Sequence, residues 1–194
     1  MPRQQFDKKI ALENSVAVFW RQGFHGTSML DILNATNLKP GSIYHAFHSK
    51  EDLFKECLQL YFTEGLKRTS EILNIAPTVG AGICQIIERM IKESVKENYC
   101  SCFLIKSQLE ITENQVALDK CITDYLGKTE QHYLQYLTQE YDRLTAQTYA
   151  TSLMLHIFGI RVYGYQKKNP ETLLASVKQG LNWLPWKEKN LSSN

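Results

Sequence analysis

Apolar residues recur at helical spacing along almost the whole chain. Leu12, Val16, Phe19 and Trp20 fall at i, i+4, i+7 and i+8, with Lys8, Lys9, Glu13 and Asn14 on the other side, and predict an amphipathic helix over residues 6 to 22. Gly23 and Gly26 stop it. Thr27 or Ser28 is placed to cap a short helix over Met29 to Ala35, with Asp31 in its first turn, where the helix dipole favours a carboxylate. The break at Thr36-Asn37-Leu38 turns on Asn37, because asparagine tolerates the left-handed geometry that closes a helix. Pro40 presets φ at a first helical position and gives up an N–H that has no partner there, so a second short helix is predicted from Pro40 to Phe47. Ser49, with Glu51 and Asp52 behind it, starts a longer helix near Lys50 whose Leu53, Phe54, Cys57, Leu58, Tyr61 and Phe62 keep the period.

The clearest later connector is Pro77-Thr78-Val79-Gly80, after which Ile83, Ile86, Ile87, Met90, Ile91 and Val95 lie on one face of a new helix. Further helices are predicted near residues 101 to 112, 115 to 139, 145 to 165 and 171 to 184, with a frayed tail from Trp186. No alternating apolar pattern bounded by tight-turn dipeptides predicts a strand, and no segment repeats at a fixed period. The fold class is therefore all-α.

Composition narrows the class further. A chain of 194 residues, 43% apolar and 22% charged, can bury a core and is too apolar for disorder. The net charge of +2 is unevenly placed, since residues 1 to 50 hold six Lys/Arg against three Asp/Glu. The cysteines (Cys57, Cys84, Cys100, Cys102 and Cys121) are odd in number and lack the paired spacings of a zinc site, so a reducing cytoplasm, no metal and no cofactor are expected. Cys100 and Cys102 stand two apart, face different directions on a helix, and do not readily bridge. The chain opens with no signal-peptide succession, and no apolar run approaches the roughly 20 residues that span a bilayer, so a soluble cytoplasmic protein is expected.

A helix followed by two short helices around a tight turn, all within residues 1 to 50, is the layout of a helix-turn-helix module, in which the second short helix enters the major groove. The chemistry of Lys39-Pro40-Gly41-Ser42-Ile43-Tyr44-His45 agrees. It offers a cation, a hydroxyl, a phenol and an imidazole, with Ile43 as the one large aliphatic to anchor the helix.

Gly23-Phe24, Thr27-Ser28, Asp31-Ile32, Gly41 to His45, Phe47, Ser49-Lys50-Glu51 and Leu53-Phe54 together resemble, in order and spacing, the N-terminal signature of the TetR family of transcriptional regulators. The resemblance covers about residues 6 to 55. It implies that Thr27 and Ser28 meet phosphate at a helix N-terminus, that Tyr44 and Lys50 also grip phosphates, and that Gly41 lets the backbone approach the groove. Lys39, Pro40, Ser42 and His45 are then the candidates for base-edge or methyl contacts. Two positions depart from the family pattern: Asn37 stands where the turn usually has Gly, and Lys39 where the next helix usually starts with Ser or Thr. Losing the capping hydroxyl costs a helix about 1 kcal/mol. Each residue also has a plainer role: Thr27, Ser28 and Ser49 as ordinary caps, Lys50 as a solvated lysine, and Tyr44 as filler at the edge of the core. His25 and His48 are read as structural.

From about residue 56 the resemblance is one of architecture. It implies a DNA-binding domain in residues 1 to 50 and a helical effector-binding and dimerisation domain in residues 51 to 194. Ser101-Cys102-Phe103-Leu104-Ile105 with Glu110 resembles a stretch that begins the helix linking sensor to reader in one subset of the family. Met90, Phe103, Lys106, Leu109, Tyr125, His132, Met154 and Phe158 are candidates to line a cavity for a small-molecule effector, the alternative for each being plain core. His156, lone in an apolar run, reads as a satisfied core or interface histidine. Leu153, Leu155, Ile157, Ile160, Val162 and Tyr163 make one helix apolar around most of its circumference, and Leu173, Leu174, Val177, Leu181 and Trp183 or Leu184 stripe the next. In the family the last two long helices pair with their twins, so a homodimer on operator DNA is expected. The expected function is a repressor released from double-stranded operator DNA by an effector. The alternative is a helical small-molecule binding protein, or an enzyme, that retains the N-terminal module. The absence of a nucleophile elbow, His-Glu-x-x-His, Walker loop or dinucleotide fingerprint argues against catalysis.

Overall fold

A computed structural model describes residues 7–96, 99–111, 115–166 and 169–187. Phe6, at the start of the first predicted helix, and the part of the predicted frayed tail beyond residue 187 lie outside the described residues. The described elements are helical throughout: α1 (Lys8–Gly26), α2 (Met29–Thr36), α3 (Pro40–Phe47), α4 (Lys50–Ile75), α5 (Val79–Ser94), α6 (Phe103–Glu110), α7 (Val116–Leu137), α8 (Arg143–Tyr163), a 3-10 turn at Gly164–Gln166 and α9 (Pro170–Gly180).

Caps explain most of these boundaries. Asp7 opens α1 by accepting from the N–H groups of Lys9 and Ile10 at 2.8 and 3.3 Å. The expected stop at Gly23 is a break rather than an end: Gly23 has φ +79° and the helical turns resume to Gly26. Ser28 and Asp31 form a reciprocal capping box on α2, with Asp31 N–H donating to Ser28 Oγ at 3.1 Å and Ser28 N–H donating to the Asp31 carboxylate at 2.8 Å. The hydrogen bonds from Ser28 hold the Asp31 carboxyl below its usual range. Asn37 closes α2 in the left-handed region at φ 54°. Ser49 caps α4 through Asp52, whose N–H donates to Ser49 Oγ at 3.0 Å.

Boundaries in the second half shift from the sequence expectation for similar reasons. α8 begins at Arg143, two residues before the expected 145, because Asp142 accepts from the N–H groups of Leu144 and Thr145 at 3.0 and 3.1 Å. α9 stops at Gly180 rather than reaching 184, and beyond it Trp183 turns back to stack on Tyr149 with ring centroids 3.9 Å apart. α6 is shorter than the expected 101 to 112, since Ser101 is drawn out of helical register by donating its hydroxyl to the Arg161 carbonyl at 2.7 Å. Val95, expected on the apolar face of α5, is the exposed cap residue just beyond its C-terminal end.

The chain forms two compact units, Met1–Leu66 with Cys102–Lys128, and Lys67–Ser101 with Thr129–Asn194. This division by packing differs from a division by position at residue 50, because α4 and α7 each give residues to both units. The first unit packs around aromatic rings: Phe54 meets Phe19 edge-on at 4.9 Å, Phe24 at 4.9 Å and Phe103 at 5.4 Å. Ile32 of α2 and Ile43 and Phe47 of α3 join that core. In the second unit Ile83, Ile87 and Ile91 of α5 pack with Leu153, Ile157 and Ile160 of α8 and with Leu173 and Val177 of α9. His156 is satisfied on its own helix, its Nδ1 lying 2.8 Å from the Ser152 carbonyl.

Candidate nucleic-acid interface

α3 is a short helix held by its apolar edge. Ile43 and Phe47, four apart, are each 1% exposed and tie it to the aromatic core, which leaves the opposite face outward. On that face Lys39, Pro40, Gly41, Tyr44 and His45 are exposed and Ser42 is half-buried. Tyr44 keeps 47% of its surface in solvent. Lys39 is the N-terminal cap residue of α3 but makes no side-chain capping bond, and Pro40 follows it at the start of the helix. With its cap role carried by backbone alone, through Ser42 N–H to the Lys39 carbonyl at 2.9 Å, the Lys39 ammonium is left on the surface. At Gly41 a Cβ would meet nothing within 4 Å, so the backbone there stands open. α3 closes at His48, whose φ of 58° and N–H to the Tyr44 carbonyl at 3.0 Å give this histidine the structural part expected of it.

The N-terminal end of α2 is arranged differently. Thr27 is buried, its hydroxyl donating to the Gly23 carbonyl at 2.6 Å, so that its side chain is turned into the fold. Ser28 is exposed but engaged in the capping box. Leu30, absent from the sequence-based set, is 65% exposed one residue into the same helix. The sequence signal for it was partial: on α2 position 30 stands nearly opposite the buried Ile32, but three residues before Leu33 it shares the flank of that half-buried side chain. Lys50 is half-buried, with its ammonium 4.5 Å from the centre of the Phe24 ring. Burial lowers its pKa, while the nearby Glu110 carboxylate acts in the opposite direction.

Glu110 itself escaped the sequence-based set. Its two carboxylate oxygens accept the N–H groups of Phe24 at 2.9 Å and His25 at 2.7 Å, immediately after the break in α1. His25 further places Nε2 3.1 Å from Gln115 Oε1. The sequence marks Glu110 only as part of the stretch that resembles the helix linking sensor to reader and gives it no partner, because its partners lie more than 80 residues earlier in the chain.

The residues proposed to line an effector cavity fall in both units. Phe103, Lys106, Leu109 and Tyr125 belong to the first, and Met90, His132, Met154 and Phe158 to the second. Phe103 is in the aromatic core and Lys106 donates to the Trp20 carbonyl at 2.5 Å. Leu109 is 71% exposed. Tyr125 stacks on Phe62 at 4.6 Å, and burial pushes its phenol up to about 12. Met90, Met154 and Phe158 share one apolar cluster. His132 lies 3.3 Å from the Ser70 hydroxyl, and burial lowers its pKa. Among the described residues no group of His, Cys, Asp and Glu side chains is placed to hold a metal ion, and no helix is long and apolar enough to cross a membrane.

Residues 11–57, which contain α2 and α3 and their seat, match the family described as bacterial regulatory proteins, tetR family. The HTH-type transcriptional repressor ComR of Escherichia coli (strain K12) is 23% identical over 140 residues, which cover 71% of this chain and 67% of that protein. The uncharacterized HTH-type transcriptional regulator YezE of Bacillus subtilis (strain 168) is 26% identical over 108 residues, 55% of this chain and 56% of its own length. A cysteine mutant of the TetR family transcriptional regulator CifR, solved in complex with operator DNA, superposes with a TM-score of 0.80 at 24% identity, over 96% of this chain and 100% of that one. SCO4454, a TetR-family transcriptional regulator from Streptomyces coelicolor, does so at 0.76 with 14% identity, over 91% and 92% of the two chains.

Proposed function

Because this chain belongs to the TetR family of bacterial regulatory proteins, we propose that it is a DNA-binding transcriptional repressor that leaves its operator when a small-molecule effector binds. The observation that carries this reading is the outward face of α3, where Lys39, Gly41, Tyr44 and His45 are exposed while Ile43 and Phe47 anchor the helix from behind. A helix so mounted can lie in a major groove, with Lys39, Pro40, Ser42 and His45 toward the base edges and Tyr44 and Lys50 toward phosphates. Ser28 and the N-terminal end of α2 take a further phosphate, with Thr27 contributing through the backbone, since its side chain is engaged internally.

One α3 reads one half-site, so specific binding calls for a second copy. The face of α8 that turns away from the core supports one: Leu144, Thr148, Leu155, Gly159 and Val162 follow one another at helical spacing and are all exposed, Leu155 at 69%. We assign reading to residues 1–50, and effector binding and pairing through α8 and α9 to residues 51–194. The protein acts in the cytoplasm as a regulator rather than an enzyme.

Selection of duplexes from fragmented genomic DNA tests this reading. The expected result is enrichment of a two-fold-related sequence whose binding weakens steeply with added salt. Binding that neither prefers a sequence nor responds to salt overturns it.

A further inference from the structure

Two ionic side chains one turn apart on α6, Lys106 and Glu110, hold the break within α1 that precedes α2. Lys106 directs Nζ to the Trp20 carbonyl at 2.5 Å and reaches the Arg21 carbonyl at 3.4 Å. These are among the last carbonyls before the helical geometry fails at Gly23, where a cation complements the partial negative charge of a helix end. Glu110 takes the other side of the break, one oxygen for the Phe24 N–H and one for the His25 N–H.

Gly23 is fitted to this arrangement twice over. Its φ of +79° suits glycine, and a Cβ there would stand 2.5 Å from Glu110 Oε2. On the far side Thr27 donates back to the Gly23 carbonyl at 2.6 Å, and α2 begins two residues later. The backbone that sets the direction of α2, and through its turn that of α3, therefore has polar groups on both sides of Gly23 met by α6, while Thr27 meets the Gly23 carbonyl locally. Lys50, whose ammonium senses the Glu110 charge, lies against Phe24 in the same place.

We propose that Lys106 and Glu110 are positioning residues for DNA binding, an ionic clamp from α6 that fixes the break before α2 and so the attitude of the reading helix. This rests on the DNA-binding reading given above. A mere contribution to folding would change stability without changing how the folded protein binds; a clamp changes affinity in the folded state and leaves the number of phosphate contacts alone.

E110Q is the informative substitution, because glutamine keeps the size but offers one acceptor oxygen where two N–H groups need partners. The probe is a duplex enriched by the wild-type protein from a randomised library, and binding is measured where circular dichroism shows both proteins folded. The expected result is an affinity lower by roughly tenfold, on the scale of one lost charge-assisted bond, with an unchanged salt slope and faster amide exchange at Phe24 and His25. K106M is expected to weaken binding in the same way and K106R to restore it. Should E110Q not fold, the K106M and K106R pair reads the clamp from its cationic end. E110Q or K106M binding within about twofold of wild type, or a lowered salt slope, overturns the proposal. A wild-type protein that enriches no duplex removes the regulator reading itself and this inference with it.

Discussion

α3 and α8 each bury one edge and show the other to solvent, but what they show is opposite in kind. α3 exposes a cation, a phenol and an imidazole over a backbone left open at Gly41, and its hold on the fold is through Ile43 and Phe47, with Ala46 packed beside them. α8 buries Ala146, Ala150, Leu153, Met154, Ile157 and Ile160 along its length and still leaves Leu144, Leu155 and Val162 in water. A polar face on a firmly seated short helix suits a polyanion, where contacts are charged and hydrated. An apolar face on a helix already buried along its other side suits a like surface, where removal of area from water supplies the gain. Exposure alone does not identify a partner; the chemistry of the exposed face does.

The largest expected effect tests the seat of α3. Phe54→Ala removes the ring on which Phe19, Phe24 and Phe103 all pack, and should cost about 3–5 kcal/mol in denaturant unfolding. A loss below about 1 kcal/mol would show that the aromatic cluster does not support the reader. Next comes the face of α8. Leu155→Glu places a charge where a second copy is proposed to pack, and should weaken pairing by about 3 kcal/mol, shifting sedimentation from dimer to monomer. A variant that remains dimeric would move the interface elsewhere.

Lys39→Ala makes the matching test on α3. With no capping bond to lose, it should leave stability within about 0.5 kcal/mol, while operator affinity drops severalfold and, if the ammonium meets phosphate, the salt slope falls by about 0.9. A base-edge role would instead relax sequence preference with little change in slope.

The smallest effect concerns His132 in the second unit. Burial lowers its folded pKa below the ordinary 6.5, so the unfolded chain takes up a proton first as pH falls. Its contribution is complete above that ordinary value and is lost as pH drops through the lower folded pKa. The urea midpoint should decline over this range in the wild type and decline less in His132→Gln. Equal slopes in the two proteins would assign the acid sensitivity to other groups.

The legible features share one property: their causes lie within a few residues. The capping box at Ser28 and Asp31, the left-handed Asn37, the uncapped Lys39 and the start of α3 at Pro40 follow from side chains next to the backbone they organise. The same local rules bring α4 to its start at Lys50. By contrast, Thr27 has a hydroxyl suited to phosphate in sequence, yet donates to Gly23 in the fold. Leu109 fits an apolar lining by type and stands in solvent. Lys106, a candidate for an effector, is engaged by carbonyls of α1, and Glu110, in no candidate set, meets two backbone N–H groups.

By itself the chain's order of residues determined an all-helical protein, the place of its two short helices to within a residue, and which side of α3 is buried and which is polar. Helical period and capping are interactions over three or four positions, and those travel with the sequence. Tertiary packing alone decided that α6 would meet the break at Gly23, which side of α8 would stay uncovered, and where Thr27 would turn. Each of these depends on atoms brought together from distant parts of the chain, and no spacing along it records which distant groups meet.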